Sequence, residues 1–378
     1  MKRLVSLMLS LTLGAAQAGG AEGGAAGVHS RTLTLNLGGV PSRAELLLPG
    51  GAAPAPLVLL IQGTGPEDRD GSYAVPGGVV QGSLGALARR LAAQGFAVMR
   101  YDKRYAAQTF VPATAQAAQT GYAALTMRDL LADARTALDT ARRQPGVEAR
   151  QVFVYGWSEG SVVAASLAQE AGARGLIVQG PVVAGFAETF ARQFATTGLA
   201  YLTPYAQGGK IGLEGVLSAL GGPGSPLAKS QAALLLDRES TPQQPKLATI
   251  LDTDGDGQLD LRAEVEPRIQ GFYELLTAAS PLYAPATSLP TLGRLAPELR
   301  MPVLILQGEN DGNVSAQYAR QLDSALRAAG HVSPTLKLYP GLGHSLGPAA
   351  DLTRDVFAPM AAQPMNDMAA WMKAQVRR

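Results

Sequence analysis

The 378-residue sequence contains no cysteine. That absence excludes disulfides, thiolate metal sites, a cysteine nucleophile and a lipid anchor on an N-terminal cysteine. Histidine is almost as scarce. His29, His331 and His344 are the whole supply, so any chemistry that needs an imidazole must use one of them. Three scattered imidazoles without thiolates also argue against a zinc site. An excess of one charge is missing too. Lys and Arg number 32 against 30 Asp and Glu, a formal net charge of +2, which gives no basic field for nucleic acid. Charged residues make up 16% and hydrophobic residues 47%, a composition that folds around a core rather than staying disordered.

The first residues have the three parts of an export signal. Lys2 and Arg3 are followed by an apolar run from Leu4 to Leu13, too short to span a bilayer, and then by Ala16-Gln17-Ala18. Residues 1–18 are therefore predicted to be a signal peptide. Residues 19–30 are predicted to be a flexible Gly/Ala-rich leader ending near His29, a poor catalytic candidate. This reading predicts a periplasmic or secreted protein with no membrane anchor after cleavage.

Beyond the leader, strand patterns alternate with helix patterns. Arg31–Leu37 and Arg43–Leu48 alternate apolar and polar residues and suggest an antiparallel pair. Leu57–Ile61, Phe96–Tyr101, Val152–Tyr155, Leu176–Gln179, Val303–Leu306 and Leu336–Tyr339 read as buried strands. Helical spacing covers Leu84–Ala93, Leu125–Arg142, Glu159–Ala171, Ala316–Ala329 and Met360–Val376. Repeated strand–helix–strand units predict an α/β fold, a mostly parallel sheet with helices on both faces. Residues 182–299 break the pattern and read as a helical cap inserted into a core of 31–181 and 300–378.

Two pentapeptides fit G-x-S-x-G: Gly156-Trp157-Ser158-Glu159-Gly160 and Gly343-His344-Ser345-Leu346-Gly347. A nucleophile elbow needs a buried strand, a crowded turn and a helix that begins at once. Only Ser158 has these neighbours. A serine hydroxyl also needs an imidazole to take its proton and a carboxylate to orient that imidazole. In open α/β sheets such groups lie beyond the carboxyl ends of strands. His344 follows Leu336–Tyr339 in this way, whereas His331 precedes that strand. The acid belongs to the loop after Val303–Leu306, where Asp311 is the first choice and Glu309 the alternative. The order Ser158…Asp311…His344 is that of the α/β-hydrolases.

From Leu57 to the C-terminus, apart from the insertion, the chain resembles an α/β-hydrolase. Gln62-Gly63-Thr64-Gly65-Pro66-Glu67-Asp68-Arg69-Asp70-Gly71 resembles the GSGPTDRDG segment of a group of bacterial serine esterases. Arg100-Tyr101-Asp102-Lys103-Arg104 resembles their RYDKRG, with Tyr105 replacing the usual glycine. The resemblance implies hydrolysis of a small-molecule ester, or a related acyl transfer to water, without a catalytic cofactor.

The N–H of Glu159 is predicted to form one half of an oxyanion hole. The loop after Leu57–Ile61 supplies the other, from Thr64 or else Gly63. Asp68, Arg69 and Asp70 are expected to pin this loop through ion pairs, and Lys103 and Arg104 to be structural loop charges. The alternative functions are a serine peptidase acting on short peptides and a non-catalytic binding module.

One motif lies outside this scheme. Asp252-Thr253-Asp254-Gly255-Asp256-Gly257-Gln258-Leu259-Asp260 follows the EF-hand loop, with Asp252, Asp254, Asp256, Gln258 and Asp260 as ligands of a structural calcium ion. Position 12 is Ala263 instead of glutamate, and Glu264, one residue late, substitutes only if the exiting helix is shifted.

Overall fold

The computed structural model describes residues 27–75, 78–331 and 334–376. The signal-peptide segment and most of the leader lie outside these residues. The leader ends earlier than expected, because the first strand already begins at His29.

Eight strands form the main sheet: β1 (His29–Leu37), β2 (Val40–Leu48), β3 (Ala55–Ile61), β4 (Ala97–Tyr101), β5 (Val147–Trp157), β6 (Gly175–Gln179), β7 (Val303–Gly308) and β8 (Thr335–Tyr339). Their order is β1-β2-β4-β3-β5-β6-β7-β8. β2 runs antiparallel to both β1 and β4, and the other pairs are parallel. The near-continuous apolar runs of β3, β4 and β6 follow from burial on both faces. β5 is longer than its apolar run suggests, since the polar stretch Glu148–Gln151 still belongs to it.

Five helices cover the sheet. α1 (Leu84–Ala93) and α5 (Ala362–Val376) pack on one face. α2 (Met127–Arg142), α3 (Glu159–Glu170) and α4 (Ala316–Ala328) pack on the other. The start of α2 is fixed by a reciprocal cap in which Thr126 Oγ accepts from Asp129 N–H and the Asp129 carboxylate accepts from Thr126 N–H, worth about 1 kcal/mol.

The insertion after β6 has a core of its own, built around Phe194, Leu202, Ile211, Leu259 and Tyr273. That core is narrower than the predicted cap, because Leu282, Leu292, Leu295 and Leu299 pack into the main core instead. The cap is also not wholly helical. Lys210–Ile211 pairs with Leu259–Asp260 as a two-stranded ribbon.

Sequence periodicity missed the hairpin Tyr73–Val75/Gly78–Val80 and the helix Pro112–Ala123. Between β4 and that helix, Tyr105 takes φ 67°, the left-handed region where the resemblance has glycine. Its ring lies over Gly121, where a Cβ would stand 2.9 to 3.1 Å from ring atoms.

Candidate active site

Ser158 sits between the end of β5 and the first turn of α3, with φ 53° and ψ −123°. This strained turn persists because its surroundings over-determine it. A Cβ at Gly156 would strike the Gly160 carbonyl, and one at Gly160 would strike the Gln62 carbonyl. Both glycines of the pentapeptide are therefore required by close approach. Ser158 N–H donates to Gln179 O at 2.8 Å, which ties the turn to the end of β6.

His344 follows β8 and is buried. Its Nδ1 lies 2.8 Å from Asp311 Oδ2. Asp311 is held in turn by Gln307 Nε2 at 2.9 Å and by the N–H groups of Asn313 and Val314 at 2.8 and 2.7 Å. Gln179 Nε2 and Trp157 Nε1 both donate to the His344 carbonyl, at 2.8 and 3.1 Å. The Trp157 ring lies 5.4 Å from the imidazole. Gly180 leaves room for the imidazole, since a Cβ there would lie 2.9 Å from Cε1. Gln179 thus binds the serine backbone through its carbonyl and the histidine backbone through its amide, and so brings the two loops together.

The alternatives weighed for these roles go elsewhere. Glu309 pairs with Arg320 at the surface. His331 Nε2 lies 2.6 Å from the Met301 carbonyl, and His29 is exposed on β1. Ser345 Oγ donates to Ala358 O at 2.6 Å.

A second carboxylate had no signal in the sequence. Asp355 is buried, and its Oδ2 accepts the His344 N–H at 2.7 Å and the Gly312 N–H at 3.2 Å. Burial alone would lower the His344 pKa. The charge and hydrogen bond of Asp311, with the charge of Asp355 behind them, outweigh burial and hold the imidazole above its ordinary value. Burial, and after it the charge of Asp311, pushes Asp355 itself upward.

The N–H groups of Thr64 and Glu159 take no acceptor among the described residues. Thr64 is exposed, whereas Gly63 is buried with its N–H toward the Glu67 carboxyl. The charged part of the loop is pinned as expected. Arg69 binds Asp102 at 3.0 Å, Arg100 binds both Asp70 and Glu45, and Asp68 Oδ1 accepts the N–H groups of Asp70 and Ser72 at 2.9 Å.

Lys103 and Arg104 lie deeper than loop charges normally do. Arg104 is buried against Asp133 at 2.7 Å. Lys103 is 4% exposed and reaches Glu159 Oε1 at 3.2 Å. The Glu67 carboxyl faces the same cluster. Burial, opposed by Lys103, pushes its pKa up to about 8, and its Oε2 meets no partner among the described residues.

In the cap, the carboxylates of Asp252, Asp254 and Asp256 come within 4.8 Å of one another. Gln258 and Asp260 continue the loop, with Gln258 N–H on Asp256 Oδ1 and the Asp260 carboxylate capping the N–H groups of Arg262 and Ala263. The chain leaves through a π-helical turn, Leu261–Val265. Such a turn accommodates one extra residue, and the late Glu264 folds back into the loop. Its carboxylate accepts the N–H groups of Thr253, Asp254 and Asp260 at 2.6, 3.2 and 2.8 Å. The Lys210 ammonium binds Asp254 at 2.8 Å and also Asp256.

Comparison with known proteins agrees with this architecture. Residues 79–244 match the family "Serine aminopeptidase, S33", and residues 269–376 match the dienelactone hydrolase family. Over 154 residues the chain is 27% identical to esterase EstD of Thermotoga maritima, covering 40% of this chain and 32% of that protein. The match thus spans about a third of the length of that relative. Among solved structures, brefeldin A esterase, described as a bacterial homologue of human hormone sensitive lipase, aligns with a TM-score of 0.51 at 16% identity, over 100% of this chain and 83% of that one. A hypothetical protein from Pseudomonas aeruginosa aligns with a TM-score of 0.51 at 14% identity, over 97% and 100%. At these identities the structures speak for the fold alone.

Proposed function

We propose that this chain belongs to the α/β-hydrolase superfamily and cleaves carboxylic esters with Ser158 as nucleophile, His344 as base and Asp311 as the acid that orients it. The observation that carries the reading is the pairing of a strained Ser158 elbow with an imidazole bound through Nδ1 to a buried carboxylate. Because Nδ1 belongs to Asp311, Nε2 is the atom left to take the Ser158 proton.

In the first half-reaction, Ser158 Oγ attacks the ester carbonyl carbon as its proton passes to His344. The N–H groups of Thr64 and Glu159 receive the developing oxyanion, where each well-placed donor contributes about 10²–10³ in rate. Collapse of the tetrahedral species expels the alcohol, which takes the proton from His344. Water, activated by the same imidazole, then releases the acid from the acyl-enzyme. The chemistry needs no cofactor.

The match to serine aminopeptidases keeps a peptidase as a second reading. An aminopeptidase must hold the α-ammonium of its substrate, usually with a carboxylate. Of the carboxyl groups beside Ser158, Glu159 is engaged by Lys103 and Tyr283, and burial pushes Glu67 up to a pKa of about 8, toward the uncharged form that offers an ammonium no counter-charge. The likeness to an esterase points the same way. Parallel assays with p-nitrophenyl acyl esters and aminoacyl anilides test the choice. Turnover of esters, lost in Ser158→Ala, is expected, and turnover of anilides alone would reject it.

Two further proposals concern the rest of the chain. Export through residues 1–18 predicts a mature protein beginning at Gly19, read by N-terminal sequencing. Among the described residues no helix is long and apolar enough to cross a membrane. The cap loop is proposed as a structural calcium site. Convergence of three carboxylates and the inward turn of Glu264 support it, and oxygen donors suit a hard cation. Glu264 already serves backbone N–H groups and Lys210 already binds two of the carboxylates, so the expected affinity is weak. No catalytic step passes through this ion.

A further inference from the structure

The N–H of Thr64 and the carbonyl of Gly63 are opposite ends of one peptide unit. That unit is planar and trans, so the two groups point in opposite directions. Whatever holds the carbonyl therefore also aims the N–H. Here the carbonyl is held by the Lys103 ammonium, buried beneath the loop. The same ammonium binds Glu159 Oε1 at 3.2 Å and the Tyr122 hydroxyl at 3.2 Å. Glu159 carries the other proposed oxyanion donor on its backbone. Its second carboxylate oxygen accepts from the Tyr283 hydroxyl at 2.6 Å. Tyr283 belongs to the inserted segment, packs against Phe186 with ring centroids 4.6 Å apart and the planes tilted by 39°, and lies with its hydroxyl beside the Thr64 side chain.

One chain of polar contacts therefore runs from the insertion to both oxyanion donors: Tyr283, Glu159, Lys103 and the Gly63–Thr64 peptide. We propose that Lys103 is a positioning residue that locks this peptide with its N–H toward the nucleophile, and that Tyr283 lets the insertion set the lock through Glu159. Without the ammonium, the Gly63 carbonyl would lose its buried partner. Rotation of the peptide would then turn an acceptor, instead of a donor, toward the oxyanion. Rotation of this peptide turns ψ of residue 63, where glycine gives the backbone its freedom. The flanking Glu67 is consistent with the lock. Burial pushes its pKa up to about 8, so near neutral pH it is a largely uncharged neighbour of the contact between Lys103 and Glu159.

The inference rests on the proposed ester hydrolysis, and the experiment separates the two. Turnover of p-nitrophenyl acetate and binding of a trifluoromethyl ketone, which forms a tetrahedral adduct with a serine, are measured for the parent, Lys103→Met, Lys103→Arg and Tyr283→Phe. Tyr283→Phe removes one hydroxyl from a half-buried ring and is chosen because it leaves the fold intact. The lock predicts a kcat loss of about 100-fold for Lys103→Met and about 10-fold for Tyr283→Phe, with KM within about threefold. Ketone affinity should fall by the same factors as kcat, and Lys103→Arg should recover part of the loss. A role in structure alone would lower the melting temperature and the active fraction without this parallel between kcat and ketone affinity. With Ser158-dependent turnover in the parent, a folded Tyr283→Phe with unchanged kcat and ketone affinity overturns the relay from the insertion. A folded Lys103→Met with unchanged kcat overturns the lock itself. If Lys103→Met does not fold, Lys103→Arg and Tyr283→Phe decide the matter by the same parallel. Absence of ester turnover in the parent would instead overturn the reading of the site, and the lock with it.

Discussion

Two stretches of this chain carry the same G-x-S-x-G pattern and do different work. Around Ser158 the pattern joins a buried strand to a helix, and the positive φ falls on the serine itself. Around Ser345 it lies in a loop, the positive φ falls on Leu346, and the serine hydroxyl is spent on Ala358 O. Close packing demands the glycines in both. A Cβ at Gly343 would strike the Asp355 carboxylate, and one at Gly347 the Ala358 carbonyl. Glycine spacing therefore reports crowding, and only the flanking elements decide whether crowding presents a nucleophile. The second pentapeptide is no decoy, since it carries His344.

The sharpest way to break this comparison is to delete each hydroxyl. Ser158→Ala should lower ester turnover by about 10⁴-fold or more with the fold retained. Asp311→Asn should follow, at about 10³–10⁴-fold in kcat, because it unfixes the imidazole tautomer. Asp355→Asn should act mainly on the pH profile. His344 must be neutral to act as base, and Asp355 helps to raise its pKa. The parent should therefore lose kcat/KM on acidification with a midpoint above the ordinary histidine value, and Asp355→Asn should move that midpoint to lower pH. A midpoint that moved upward would remove Asp355 from this role. Ser345→Ala should leave kcat within about twofold and cost about 1 kcal/mol of stability for one lost hydrogen bond, read by denaturant unfolding. If Ser345→Ala abolished turnover, the assignment of the two pentapeptides would be reversed. The smallest effect concerns the cap. Millimolar calcium against EDTA should raise the melting temperature by a few degrees through binding to the folded state, and Lys210→Met, which removes the competing ammonium, should enlarge the shift.

Ser158, Asp311 and His344 could be singled out as candidates in the sequence because each follows a strand whose apolar run can be read without a structure. The parallel direction of β5, β7 and β8 puts all three beyond the carboxyl ends of strands, and the parallel core followed from the same runs. Lys103 was legible only as a charge. Its buried partners are Tyr122, which arrives from a helix that periodicity missed, and Glu159, which Tyr283 of the inserted segment holds from the other side. Asp355 was hidden for a similar reason: it lies in a loop with no repeating pattern, and its role appears only when that loop folds back on the His344 N–H. The paired strands Tyr73–Val75 and Gly78–Val80 are too short to leave a periodic signal. In the cap, Ala263 at position 12 is the flaw that the sequence shows, and the late Glu264 can reach the loop only through a shifted exit, which the π-turn supplies.

Tyr105 and Gly121 have a consequence for how this molecule can change. A tyrosine in left-handed backbone costs about 1 kcal/mol, and a glycine inside a helix costs about as much relative to alanine. Each residue makes the other tolerable, since the ring occupies the space that an alanine methyl at 121 would need. Tyr105→Gly alone relaxes the backbone but leaves a hollow over the helix, and Gly121→Ala alone collides with the ring. The two positions therefore behave as one inherited character. Drift away from this pairing must cross a less fit intermediate, whereas a joint exchange to glycine and alanine is open.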